Sequence, residues 1–82
     1  MPTPFAKVFD LPTHQVLFFK DWEEINDETS YRIEVRAEVF PGTIQSAAYG
    51  YKDEAKRDAM FDNLNEEAAQ SALNLLSAPF QE

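Results

Sequence analysis

The sequence predicts an α+β fold: a four-stranded antiparallel meander sheet followed by a C-terminal helical region, in one piece or broken into two, packed on one sheet face. Three observations predict it. Residues 30–40, SYRIEVRAEVF, alternate apolar and charged side chains at period two. Pro41 and Gly42 then separate that stretch from TIQSAAYGY at hairpin distance. Beyond Asp53 the apolar period changes to three or four residues, and neither Pro nor Gly intervenes before Pro79.

The first strand is expected over 5–9, FAKVF, rich in aromatic and branched residues and closed by DLPTH. A second follows over 15–22, QVLFFKDW. The acidic run DWEEINDE reads as a loop in which Asn26 and Asp27 supply turn chemistry. The third strand, 30–40, places Tyr31, Ile33, Val35, Ala37 and Val39 on one side, the pattern of a sheet with one buried face. The turn at 41–42 uses Pro to fix φ and Gly to accept positive φ, and leads into a fourth strand over 43–51. Helical structure is expected from about 54 to 76, with Asp53 as N-cap and an apolar stripe of Phe61, Leu64, Ala68, Ala72 and Leu75. The polar DNLN at 62–65, with Asn63 three residues before Glu66, resembles a capping box and marks the place where the helix bends or restarts. Residues 77–82 are left as a short tail.

One helical layer covers one face of a sheet, so the other face meets water or a partner. On the third strand that face carries Arg32, Glu34, Arg36 and Glu38. On the second, one of Phe18 and Phe19 must point outward whichever way the strand faces. On the fourth, Tyr49 and Tyr51 share one side and the small Ser46, Ala48 and Gly50 share the other. Small residues suit the close approach of a helix, so the tyrosines are expected on the open side. The candidate protein interface is therefore Phe19, Arg32, Glu34, Arg36, Glu38, Phe40, Tyr49 and Tyr51, since aromatics mixed with Arg are the composition of an interface centre. The alternative is a solvated face whose opposite charges pair across strands.

The 82 residues suffice for a single domain, 1–82, with a small core to which seven Phe can contribute. Absence of Cys rules out a disulfide framework and any thiolate metal site. With no leader-like N-terminus and no apolar run of about 20 residues, the expectation is a soluble, cytoplasmic protein without membrane association. The net charge of −8 is concentrated in DWEEINDE and in residues 53–82. Such a balance repels phosphate backbones and argues against nucleic-acid binding, leaving mimicry of DNA or docking on a basic protein open.

No catalytic constellation is visible, and the chain is expected not to be an enzyme. His14 is the single histidine and lies in a turn, where solvation is its expected state. Ser30, Ser46, Ser71 and Ser77 lack a nucleophile-elbow context, and with Gly42 and Gly50 as the only glycines no phosphate-cradling loop exists. DWEEINDE has adjacent acids and no Gly, unlike a calcium loop. No cofactor and no metal are expected, and Trp22 is expected to anchor on the rim of the core.

The segments PFAKVFD, QVL and SAAYGYKDEAKRDAMFDNL resemble small uncharacterised proteins of bacteria and their phages, over about half of the chain. The shared motifs are structural, a strand opening and a strand running into a helix. Those proteins often carry Cys-Ser after the turn glycine, where this chain has Thr43, Ile44, Gln45 and Ser46, so thiol chemistry there does not transfer. The resemblance attaches no activity and no functional residues, and implies an accessory, phage-like interaction protein. The expected function is thus a small acidic non-enzymatic interaction module, homodimeric or bound to another protein. The alternative is small-molecule binding or catalysis at an aromatic cleft.

Overall fold

The computed structural model describes residues 5–80. Four strands, β1 (Ala6–Asp10), β2 (Gln15–Ile25), β3 (Glu28–Phe40) and β4 (Thr43–Tyr51), form one antiparallel sheet in the order β1-β2-β3-β4. Two helices, α1 (Glu54–Asp62) and α2 (Glu66–Ser77), follow, and a 3-10 turn, Ala78–Phe80, ends the described chain. The α+β meander with helices on one face is as the sequence predicts.

The core lies between sheet and helices. Val16 and Phe18 of β2, and Ile33, Val35, Ala37 and Val39 of β3, meet Phe61 of α1 and Ala69, Ala72, Leu73 and Leu76 of α2. Phe9 adds an edge-to-face contact with Phe18 at 5.8 Å between ring centres. At period two, the same strands send Leu17, Phe19, Arg32, Glu34, Arg36 and Glu38 to the other side, here called the open face.

The helical region is two helices. Asn65, not Asn63, is the N-cap of α2, its side chain accepting from Ala68 N at 2.9 Å, while Asn63 caps the C-terminus of α1. Asp53 caps α1 as expected, accepting from Ala55 N at 2.8 Å. The break resets the helical phase, so the buried stripe of α2 runs through Ala69, Ala72, Leu73 and Leu76, and Leu75 is 66% exposed. The expected stripe kept one phase through the break and put Leu75 inside.

Strands β2 and β3 are longer than expected, because DWEEINDE is not a loop. Its residues pair with 28–32 across a two-residue turn, Asn26 and Asp27, both at positive φ (52° and 65°), the signature of a type I′ hairpin. The outer part of this hairpin, residues 23–30, projects beyond the ends of β1 and β4 as a two-stranded arm. Trp22, at its base, is 62% exposed, so it does not anchor on the core rim.

The helical layer is joined to the sheet by three cations. Buried Arg57 donates from Nη1 to the carbonyl of Asp21 at 2.7 Å and from Nε to Asp58 Oδ1 at 2.8 Å, and its guanidinium lies 5.5 Å from the Tyr31 ring centre. Lys7 Nζ donates to the carbonyls of Phe61 and Asp62 at 2.8 and 3.1 Å, satisfying the end of α1, which has no basic residue in its own last turn. Lys20 pairs with Asp58 at 3.3 Å, and the Lys7 and Lys20 amines both lie about 5 Å from the Phe61 ring centre.

Candidate functional site: the open sheet face

A β-bulge decides what the open face presents. Phe40 pairs with Thr43 next to the turn, but from Glu38 onward the register changes by one residue, so that Ile33 faces Tyr49 and Tyr31 faces Tyr51. Without that shift, the turn pairing continued along the strands would set Tyr49 opposite Glu34. A one-residue shift exchanges the faces of every side chain on the strand. Tyr49 and Tyr51 therefore lie on the helix side, and Ser46, Ala48 and Gly50 lie on the open face opposite Arg36, Glu34 and Arg32. This corrects the expected placement of the two tyrosines. Gly50 suits its place, since a Cβ there would sit 2.7 Å from Ser30 Oγ.

The other expected residues fall as follows. Phe18 is buried and Phe19 points to the open face. Arg32, Glu34, Arg36 and Glu38 lie on that face, and Phe40, 41% exposed, lies beside the turn. The charged row is closed on itself. Arg32 contacts Asp21 and Glu23 at 2.9 Å and Glu34 at 3.2 Å, and Arg36 contacts Glu34 at 2.7 Å. The hydrogen bond to Glu23 holds the Arg32 guanidinium above its ordinary value, with the charges of Asp21 and Glu23 acting in the same direction and burial opposing them. The Arg36 guanidinium lies over the Phe19 ring, 5.1 Å from its centre. Three acids against two bases leave this network with a net negative charge.

Beside the network lie apolar side chains that sequence reasoning missed. Val8 stands opposite Leu17 in the β1–β2 pairing, and Ile44 stands opposite Glu38. Val8 is 58% and Ile44 66% exposed. With Leu17, Arg36, Glu38 and Gln15 they line a shallow depression of about 600 Å³. The signal for Val8 was present, because Lys7 and Phe9 flank it at the positions that reach the helices.

His14 borders the depression and is engaged rather than solvated. Its Nε2 lies 3.2 Å from the Val39 carbonyl and its Nδ1 2.7 Å from Thr13 Oγ1. A carbonyl only accepts, so Nε2 carries the hydrogen in that contact. The ring ties the β1–β2 turn to the end of β3 and closes one end of the open face. On the helix side, the hydrogen bond from Arg57, followed by that from Lys20, holds the Asp58 carboxyl below its ordinary value, with burial acting against them.

Among the described residues, no group of three or more His, Asp or Glu side chains is placed to hold a metal ion, and no helix is long and apolar enough to cross a membrane. The open face thus offers shape, apolar area and fixed charge. Compared with protein-family models, curated proteins and solved structures, the chain gave no match in any of the three.

Proposed function

We propose that the protein is a small acidic interaction module whose open sheet face docks a protein partner. The observation that supports this reading most is the apolar strip of Val8 and Leu17, with Ile44 across Arg36 and Glu38 in the same depression, on a face that none of the described helices covers. Apolar side chains gathered on one face beside Arg and an aromatic suit an interface centre, with the charged network as its polar rim. The Asp21, Glu23, Glu34, Arg32 and Arg36 cluster enters the interface already paired, so the partner need not neutralise each charge in turn. The surplus acid there, and Glu38 beside the strip, favour a partner whose own apolar patch is bordered by Lys or Arg. An accessory role of phage type is one setting in which such a module would work.

The test compares proteins captured from the source cell by the wild type and by Val8→Lys and Leu17→Lys, with circular dichroism confirming that each variant is folded. One protein held in stoichiometric amount by the wild type and lost from both folded variants supports the reading. Equal capture by wild type and variants contradicts it, as does a co-purifying metabolite in place of a protein.

A further inference from the structure

The two edges of the sheet are unlike. Strand β1 is five residues long and carries Lys7 and Asp10, whereas β4 is nine residues long and carries no charged residue in a chain where 27% of residues are charged. Edge strands are ordinarily protected by shortness, by charge or by Pro, and β4 has none of these. No residue of β4 is buried. No hydrogen bond other than the ladder to β3 involves residues 43–51, so the outward amides and carbonyls of β4 have no partner among the described residues. Such groups meet either water or another strand.

We propose that β4 pairs antiparallel with β4 of a second copy of this chain, about a two-fold axis at Ala47, joining two four-stranded sheets into one of eight strands. The sequence of the strand is self-complementary in that register. Ile44 of one copy falls opposite Gly50 of the other, Ser46 opposite Ala48, Gln45 opposite Tyr49 and Thr43 opposite Tyr51. Each large side chain thus meets a smaller one, and like parity keeps each pair on one face of the joined sheet. Nine residues paired in this way form about 8–10 backbone hydrogen bonds. Charge selects the same edge. Two copies each carrying −8 repel over most of their surface, and β4 is the strip where they meet without opposing like charges. The pairing is independent of the open-face reading. It leaves Val8 and Leu17 uncovered and sets two open faces side by side for a repeated or two-fold partner.

Sedimentation velocity tests the pairing. The wild type is expected to sediment as a dimer at micromolar concentration. The double variant Ser46→Lys with Ala48→Lys, at exposed positions, is expected to be a folded monomer, because two pairs of lysines then oppose each other across the axis. Ser46→Glu with Ala48→Glu is expected to be monomeric as well, and an equimolar mixture of the two to dimerise. Since the natural sequence has no cysteine, Ala47→Cys is expected to cross-link under mild oxidation. Leu17→Lys is expected to leave the dimer intact while removing the open-face partner, so the two readings fail separately. A wild type that stays monomeric at high micromolar concentration overturns the proposal. So does a dimer that survives the double lysine variant but is lost on Leu17→Lys.

Discussion

Arg57 is one of the three cations that hold α1 to the sheet, its guanidinium shared between the backbone of β2, the Asp58 carboxylate and the Tyr31 ring. Replacing it by Met keeps much of the volume but removes the hydrogen bonds to the Asp21 carbonyl and the Asp58 carboxylate, so urea unfolding of Arg57→Met is expected to show a loss of about 1–3 kcal/mol. Val35, 1% exposed, separates the two faces of β3 from its neighbour Arg36. Val35→Asp is expected to unfold the domain, because it buries a charge without a partner, whereas Arg36→Ala is expected to cost no more than about 1 kcal/mol, since the Arg36 side chain is half exposed and Glu34 keeps its contact with Arg32. Circular dichroism melts of the two variants check this, and equal destabilisation would contradict the assignment of faces. Asp58 makes the layer contact sensitive to acid. Its carboxyl lies below the ordinary value in the folded state, so its contribution is complete above the unfolded carboxylate range near pH 4 and is lost as pH falls through the lower folded value. Below about pH 4, wild type and Asp58→Asn are therefore expected to converge in melting temperature.

The elements divide by how local their signals are. Strand β3 and the onset of α1 were legible because each rests on its own residues: strict alternation over 30–40, and Asp53 before a run free of Pro and Gly. The partition of α1 from α2 was half legible. DNLN marked the break, but two asparagines could cap, and the geometry chooses Asn65. Asn65→Ala is accordingly expected to lower stability by about 1 kcal/mol in thermal unfolding, more than Asn63→Ala does. The arm was misread as a loop because acids dominated its composition, while the turn signal lay in two residues, Asn26 and Asp27. At φ 65°, Asp27 takes a conformation that Gly adopts more readily, so Asp27→Gly is expected to raise stability by up to about 1 kcal/mol. The faces of β4 were not legible, since they depend on one bulge between Glu38 and Phe40 that leaves no mark on composition. The small Ser46, Ala48 and Gly50 pointed the other way, so Tyr49 and Tyr51 were expected on the open side; the Arg and Glu row follows the period of β3, whereas the period of β2 left the choice between Phe18 and Phe19 open.

At the scale of the whole molecule, two layers give a thin body, 41 × 32 × 18 Å. Its radius of gyration, 13.6 Å, exceeds the ~12 Å of a compact chain of this length, as befits a projecting hairpin and a sheet covered on one side only. The same economy that leaves the core small leaves Val8, Leu17 and Ile44 on a surface that a second layer would bury in a larger fold. In the proposed complex the partner supplies that layer from outside. Hydroxyl-radical footprinting of the captured complex tests, side chain by side chain, whether the partner meets this face and not the helical one. The helical surface provides its own controls in Met60 and Leu75, 52% and 66% exposed. Oxidation of Val8, Leu17, Phe19 and Ile44 is expected to fall several-fold on binding while that of Met60 and Leu75 is unchanged. Protection of Met60 and Leu75 with Val8, Leu17, Phe19 and Ile44 oxidised as in the free protein would contradict the account.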